Sequence, residues 1–303
     1  MSSTQPLIVV AGATGNLGSR IVDALLARGA DVRALVRTET DSTRVDQLTA
    51  RGANVVRVEL ADIRQLTEAC AGAACVVSAL QGLRDVIVDV QTGLLEAAVA
   101  AEVPRFIPSD YSTDFTQLPP GENRNFDLRR EFHERLATAD IAATSIFNGA
   151  FAEVLTYNIP LLDFQKRSVG YWEDVEWRID FTTMDDTAAF TAAAALDPTT
   201  PRWLRIASFQ ISPRELAAVA EDVTHQSYTL NRLGRRDELA AYTRHERAAH
   251  PEGEHELMPR WQQMQYMLGM FSAQNNPLDN ARYPDIHWTS AREMLAARGT
   301  ARS

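Results

Sequence analysis

Three glycines near the start of the chain have the spacing of a phosphate-binding loop. They lie in the run Gly12-Ala13-Thr14-Gly15-Asn16-Leu17-Gly18, between the apolar run Leu7–Ala11 and a helical pattern over residues 16–28. In this setting the first glycine makes a tight turn, the second lets the backbone approach a pyrophosphate, and the third lets the helix pack close to the strand. The helix N-terminus adds free N–H groups and a partial positive charge. All seven residues are therefore predicted to bind a dinucleotide, although a purely structural Gly-rich turn is the alternative.

The choice of dinucleotide depends on the end of the second strand. A carboxylate there binds the ribose 2′-hydroxyl of NAD. This chain instead has Arg37, about twenty residues after Gly18, at the usual distance for that group. A guanidinium can hold the 2′-phosphate of NADP with two hydrogen bonds. Arg37 therefore favours NADP(H), while Glu39 and Asp41 in the same loop keep NAD open.

Small residues end a later apolar run, Cys75–Leu80, and we expect two of them to border the cofactor. Ser78 and Ala79 leave room for a dinucleotide to lie across the sheet edge. A plain strand-to-helix turn explains either residue equally well.

Candidate catalytic groups follow in the middle of the chain. Arg129 and His133 are four residues apart on a predicted helix, so they share one face. His133 can exchange a proton near neutral pH, and Tyr111 is a second possible donor. A partly exposed helix histidine and a packed loop aromatic are the structural alternatives.

The elements that carry these residues alternate between short apolar strands and amphipathic helices. Near-continuous runs of Val, Ile and Leu with helices between them predict a doubly wound parallel sheet of the Rossmann type. We place this NADP-binding domain at residues 1–155. Residues 156–303 are predicted to form a smaller, mostly helical substrate lobe, interleaved with the last strands of the sheet. Capping boxes at Ser212 and Ser290 mark two of its helices.

Composition excludes several classes of function. The 303 residues carry a net charge of -10, so a nucleic-acid partner or an anionic membrane surface is not expected. No apolar run reaches the ~20 residues that span a bilayer, and the N-terminus lacks the pattern of a signal peptide. Cys70 and Cys75 fit neither a disulfide framework nor a zinc site, and no metal is expected. These features predict a cytoplasmic protein, either a monomer or a homodimer.

The chain resembles the NmrA-like and isoflavone-reductase-like families of atypical short-chain dehydrogenases. GATGNLG with Arg37 carries the resemblance, and further motifs continue it over most of the chain, more loosely after residue 200. These motifs are Arg105-Phe106-Ile107-Pro108-Ser109-Asp110-Tyr111, Phe126-Asp-Leu-Arg129-Arg-Glu-Phe-His133, Ser145-Ile-Phe-Asn148-Gly149-Ala-Phe151 and Phe181-Thr-Thr-Met-Asp-Asp186.

The resemblance implies NADPH-dependent reduction of a small aromatic, phenylpropanoid-like compound. It also implies that Asn148 borders the cofactor. The reductases' catalytic lysine is matched by Arg129, and their substrate-contacting arginine by His133. An arginine stays protonated and cannot transfer a proton near neutral pH, although it can stabilise an oxyanion. This departure leaves a second hypothesis open, a non-catalytic NADP(H)-binding sensor of the NmrA type.

Overall fold

The computed structural model describes residues 5–300, and internal contacts divide the chain into two compact units. The first unit comprises the chain up to Asp110 together with residues 127–146 and 187–204. The second comprises residues 111–126, residues 147–186 and the chain from Arg205 onward. Each unit is therefore assembled from three segments. The assignment of cofactor binding to residues 1–155 and of substrate binding to residues 156–303 stays a prediction.

The first unit contains a parallel sheet. Its strands are β1 (Leu7–Ala11), β2 (Asp31–Arg37), β3 (Asn54–Val58), β4 (Cys75–Ser78), β5 (Arg105–Ile107) and β6 (Ala142–Ala143). Their order across the sheet is β3-β2-β1-β4-β5-β6, and every adjacent pair is parallel. This is the doubly wound Rossmann order, in which ligands bind beyond the carboxyl ends of the strands where the order reverses. The predicted fold class is confirmed.

Helices connect these strands and share a core with them. They are α1 (Asn16–Ala27), α2 (Ser42–Ala50), α3 (Ile63–Cys70), α4 (Gln91–Ala100), which follows a π-helical turn over Asp85–Val90, and α5 (Arg124–Leu136). α1 buries Ile21, Val22 and Leu25 on one face, as the helical spacing predicts. Phe132 of α5 is fully buried in the same cluster as Phe106 of β5. This packing fixes the helix that carries Arg129 and His133 against the sheet.

Short strands and further helices follow α5 along the chain, and most of them belong to the second unit. The remaining strands are β7 (Ser145–Phe147), β8 (Ala150–Phe151), β9 (Ser168–Trp172), β10 (Ile179–Thr182), β11 (Trp203–Arg205), β12 (Phe209–Ile211) and β13 (Thr229–Gly234). The remaining helices are α6 (Met184–Leu196), α7 (Pro213–Thr224), α8 (Arg236–Ala249), α9 (Arg260–Met270) and α10 (Ala291–Thr300). The strands form three small sheets, β12-β10-β8, β11-β7 and β13-β9. Strands this short leave little periodic signal in a sequence.

Local signals for two helix starts are confirmed. The Ser212 hydroxyl accepts from the N–H of Glu215, and the Glu215 carboxylate accepts from the N–H of Ser212. Ser290 and Glu293 make the same reciprocal pair before α10. The core behind α7 includes Leu216, which clusters with buried side chains from several other elements. Among residues 5–300, no helix is long and apolar enough to cross a membrane.

Candidate active site

Two glycines of the predicted loop occupy positions that a side chain would not fit. Gly12 has a φ of +80°, and a Cβ added there would lie 2.5 Å from the carbonyl oxygen of Ala79. A Cβ on Gly18 would lie 2.1 Å from the carbonyl oxygen of Gly12. Both distances are far inside van der Waals contact, so the backbone can pass this closely only at glycine. The first turn of α1 therefore packs directly on the loop after β1.

The start of α1 has the features of an anion site. Gly15 precedes the helix, and its N–H donates to the carbonyl of Gly12 at 2.9 Å. No side chain caps the helix there, and its first turn contains no acidic residue. The backbone N–H groups of that turn are oriented for an anionic ligand. Ala13, Thr14, Asn16 and Leu17 complete the loop and the turn, and their contact with a dinucleotide stays a prediction.

Arg37 ends β2 with its side chain 68% exposed. Its Nε lies 3.2 Å from Oε1 of Glu39 in the following loop. Arg57, on the neighbouring strand β3, donates through Nη1 to the carbonyls of Thr38 and Thr40, at 2.6 and 2.8 Å. The loop after β2 is therefore held by one arginine, while another is presented to solvent. That exposure is what a group binding a 2′-phosphate requires.

The end of β4 meets the phosphate-loop region directly. The N–H of Ala79 donates to the carbonyl of Ala11 at 2.9 Å, which extends the β1–β4 pairing beyond Ser78. Ser78 is fully buried, and its hydroxyl has no hydrogen-bond partner among the described residues. A buried polar atom of this kind is normally satisfied by water or a ligand. A role for either residue in cofactor binding stays a prediction.

The loop after β5 is fixed on three sides. The N–H of Ser109 donates to Oε1 of the buried Gln91 at 2.9 Å, and its hydroxyl donates to the carbonyl of Leu80 at 2.7 Å. The Arg129 Nε donates to the Ser109 carbonyl at 3.0 Å. Gln91 lies where the π-helical turn joins α4, and such turns are frequent at functional sites. These three hydrogen bonds hold both the loop and the Arg129 side chain in place.

A chain of hydrogen bonds joins His133 to a buried carboxylate. Nε2 of His133 lies 2.7 Å from Oδ2 of Asp110, which is fully buried. The Ser145 hydroxyl donates to the same oxygen at 2.5 Å, and Nη1 of Arg202 donates to that hydroxyl at 2.6 Å. The ring of Trp203 lies 5.6 Å from the imidazole. All five residues belong to the first unit.

The surroundings of Asp110 favour its ionised form. Burial alone would raise the pKa of this carboxyl, but His133 lowers it by charge and by hydrogen bonding. The Ser145 hydroxyl and the charge of Arg129 lower it further, so the pKa lies below its usual value. An ionised Asp110 can orient the His133 ring and stabilise its protonated form.

Two predicted site residues lie in the second unit. Tyr111 is buried directly after Asp110. Asn148 is also buried, its N–H donates to the Ser112 carbonyl at 3.1 Å, and its own carbonyl accepts from the Thr182 hydroxyl at 2.6 Å. The next residue, Gly149, has a φ of +65°. The roles of Tyr111 and Asn148 at a cofactor or substrate stay predictions.

The model of the NmrA-like family matches residues 4–240 of this sequence. The chain belongs to the NmrA-like family.

Relatives of this NmrA-like chain include named plant reductases. It is 30% identical to pinoresinol reductase 2 of Arabidopsis thaliana, over 77% of this chain and 79% of that protein. It is 28% identical to the bifunctional pinoresinol-lariciresinol reductase of Linum album, over 97% of this chain and 94% of that protein. The solved structure of AtPrR2 with NADP+ and (+)-pinoresinol matches it with a TM-score of 0.79 and 24% identity, over 98% of this chain and 99% of that one. At that identity the structural likeness establishes the fold. The family recognised from the sequence motifs is confirmed.

Asp110, Ser145 and Arg202 were not among the residues predicted to act in this NmrA-like protein. Asp110 and Ser145 each stand within a motif of the family resemblance, but the sequence predicts no role for either. Arg202 lies outside every motif, and the structure identifies it by its hydrogen bond to Ser145 and by its guanidinium 3.9 Å from the indole centroid of Trp203. Within the described residues, no group of three or more His, Cys, Asp or Glu side chains has the arrangement of a metal site.

Proposed function

We propose that this protein is an NADPH-dependent reductase of a small aromatic compound, in which His133 supplies the proton that accompanies hydride transfer. The observation that carries the proposal is the pair His133–Asp110, with Arg129 beside it. The pair lies in the same unit as the glycine loop and follows strands of the same parallel sheet. This arrangement provides a proton donor and a fixed cation at the sheet edge where such folds bind their ligands.

The residues present fit a dinucleotide phosphate. Gly12 and Gly18 place no side chains in the loop, where none would fit. The uncapped start of α1 offers N–H groups to a diphosphate. Arg37 offers an exposed guanidinium to a 2′-phosphate. When bound, NADPH supplies the hydride. The cofactor inferred from the sequence agrees with the NADP+ named for the AtPrR2 structure.

The side chains divide the remaining chemistry between them. A carbon that accepts hydride leaves negative charge on an attached oxygen or a conjugated system. Arg129 stabilises that charge but keeps its own proton, because a guanidinium does not ionise near neutral pH. An imidazole is the side chain suited to supply the proton, and the ionised Asp110 holds that of His133 in place. Two residues thus take over the role of the family's lysine. Arg129 supplies the positive charge, and His133 supplies the proton.

The named relatives support both the reductase activity and the class of substrate. Pinoresinol and lariciresinol reductases act on aromatic compounds, and the match to them extends over most of this chain. We accordingly infer a substrate with aromatic rings and an oxygen at or next to the carbon that is reduced. A cytoplasmic location and a monomeric or homodimeric state belong to the proposal as well.

The alternative is a sensor that binds NADP(H) without turnover. Arg129 at the lysine position is the observation that favours it. The His133–Asp110 pair favours the enzyme, because a sensor has no need of a buried carboxylate paired with an ionisable ring.

The test is NADPH oxidation, followed by its absorbance, with lignans such as pinoresinol, other phenylpropanoids, aromatic aldehydes and quinones as substrates. We expect turnover of at least one aromatic substrate. His133→Gln is expected to lower kcat by about a hundredfold or more, as loss of a general acid does. Arg129→Lys keeps the charge and supplies an ionisable group, so substantial activity should remain.

Glu134→Gln is the matched control, because Glu134 is the exposed neighbour of His133 on α5. It should leave kcat unchanged. Tight NADP(H) binding with no turnover of any compound would favour the sensor. Full activity in His133→Gln would remove His133 from the mechanism.

A further inference from the structure

Arg202 is held rigidly beside the candidate active site. Its carbonyl accepts from the N–H of Ser145 at 2.9 Å, and its Nη1 donates to the hydroxyl of the same serine at 2.6 Å. Its guanidinium lies 3.9 Å from the ring centroid of Trp203, in the range of a cation–π contact. Backbone, hydroxyl and aromatic ring thus fix one cation next to one serine.

This contact determines the direction of every hydrogen bond up to His133. A guanidinium has only donors, so the Ser145 oxygen must accept from Arg202 and its hydrogen must point elsewhere. The Ser145 oxygen lies 2.5 Å from Oδ2 of Asp110, so the hydroxyl donates there. Oδ2 then accepts from Ser145 and, at 2.7 Å, also from Nε2 of His133. Because an ionised carboxylate only accepts hydrogen bonds, Nε2 carries a hydrogen, and Nδ1 is the nitrogen that gains and loses the exchangeable proton.

We infer that Arg202, acting through the Ser145 hydroxyl, is a positioning residue that orients Asp110 and so determines which imidazole nitrogen of His133 exchanges its proton. The inference rests on the proposed function only for the use to which that proton is put. The hydrogen-bond directions themselves do not require turnover.

The charged groups around His133 set the sign of the expected changes. Asp110 attracts the proton of His133, whereas the positive charges of Arg129 on α5 and Arg202 before β11 interact with the same carboxylate and oppose a second positive charge beside it. Trp203 contributes a neutral ring. Removing the Arg202 cation takes away a positive charge near Asp110, so the Asp110–His133 pair should keep its shared proton to higher pH. Burial then also favours a protonated Asp110. A protonated carboxyl donates to Nε2, so the neutral ring carries its hydrogen on Nδ1 instead.

The test is ¹⁵N NMR of histidine-labelled protein, because the ring-nitrogen shifts distinguish the two neutral tautomers. Loss of signals in His133→Gln identifies His133 among the 6 histidines. The unsubstituted protein should show the neutral ring with its hydrogen on Nε2. Arg202→Met and Ser145→Ala should both reveal the Nδ1–H form and a midpoint at higher pH. Ser145→Thr and Arg202→Lys, which keep the hydroxyl and the cation, should restore the original tautomer.

A kinetic measurement provides an independent readout. With the aromatic substrate found above, Ser145→Ala should lower kcat about tenfold, less than loss of His133 itself, with KM within about twofold. Its pH profile should move in the same direction as the NMR midpoint. Arg51→Met is the control for loss of a cation, because Arg51 pairs with Asp23 near the surface of the same unit. It should change neither readout.

The two claims fail in different ways. An unchanged tautomer and midpoint in both Ser145→Ala and Arg202→Met would overturn the positioning role, even in an active enzyme. If Arg202→Met does not fold, the Ser145→Ala and Ser145→Thr pair decides alone. If the NMR changes appear as expected but no compound is reduced, the positioning role stands and the proposed function fails.

Discussion

Asp110 is the residue on which the candidate site depends most. It is fully buried and negatively charged, and a buried charge is stable only when donors and cations satisfy it. His133 and Ser145 provide two of those contacts, and Arg129 provides a nearby charge. The same contacts that keep Asp110 ionised also orient the imidazole. Structural stability and the proposed proton transfer therefore rest on the same few atoms.

Arg37 leads to a prediction about the choice of cofactor. Arg37→Ala should weaken NADPH binding by roughly ten- to a hundredfold, because a charge-assisted bond to the 2′-phosphate contributes about 1.5–3 kcal/mol. NADH binding should change less than about twofold. Dissociation constants from calorimetry check both values.

The neighbour Glu39 supplies the matched variant. Its carboxylate competes for the Arg37 guanidinium at 3.2 Å, so Glu39→Gln should strengthen NADPH binding. Equal losses of NADPH and NADH affinity in Arg37→Ala would contradict a 2′-phosphate role.

Helix α5 connects the hydrophobic core of the first unit to the candidate site. Phe132 anchors the helix in the core, while Arg129 and His133 project from neighbouring positions. In helix α7, one capping box determines where the helix begins, and Leu216 determines which face is buried. Local hydrogen bonds set the ends of these helices, and burial sets their orientation.

The capping box of α7 leads to a prediction about the free energy of unfolding. Ser212→Ala removes the acceptor for the Glu215 N–H and should lower the free energy of unfolding by about 1 kcal/mol. Ser212→Thr keeps a hydroxyl and should lose less. Urea denaturation should show a lower midpoint with an unchanged slope. Equal stability of the alanine variant and the unsubstituted protein would show that the cap contributes nothing.

Charge is distributed unevenly over the whole molecule. The net charge is -10, yet the candidate site contains the cations Arg129 and Arg202.

In the second unit, the buried Asp180 accepts from Gln210 at 2.7 Å and from the N–H of Asn275 at 2.6 Å. Burial raises its pKa to about 6, although both hydrogen bonds act in the opposite direction. Asp180 therefore makes stability depend on pH.

The sign of that dependence follows from proton binding. The unfolded Asp180 carboxyl has a pKa near its usual 3.8, so between about pH 4 and pH 6 this group is protonated to a greater extent in the folded state than in the unfolded chain. The contribution of Asp180 to the free energy of unfolding should fall by roughly 3 kcal/mol as pH rises through this window. Asp180→Asn does not titrate. The difference in unfolding free energy between the unsubstituted protein and this variant, measured from pH 4 to pH 7, isolates the effect, and a difference that grows with pH would contradict it.

Much of the first unit could be predicted because its signals are local. The strand–glycine–helix arrangement around Gly12 and Gly18 follows from residue type and periodicity, and in the second unit the caps at Ser212 and Ser290 do as well. Arg129 and His133 could be placed on one helix face because a helix repeats every 3.6 residues. The strands after residue 150 could not be predicted, because they are only two to six residues long and, unlike the buried strands of the first unit, mostly lack a continuous apolar run.

The chain by itself determined the family, the doubly wound sheet and the loop suited to a dinucleotide phosphate, since each depends on neighbouring residues in the sequence. Only the tertiary structure decided what His133 contacts. Asp110, Ser145 and Arg202 come from three separate segments, and their contacts form only when the strands and loops that carry them pack together. Hydrogen bonds of this kind depend on distance and direction in space, which residue spacing along a chain does not encode.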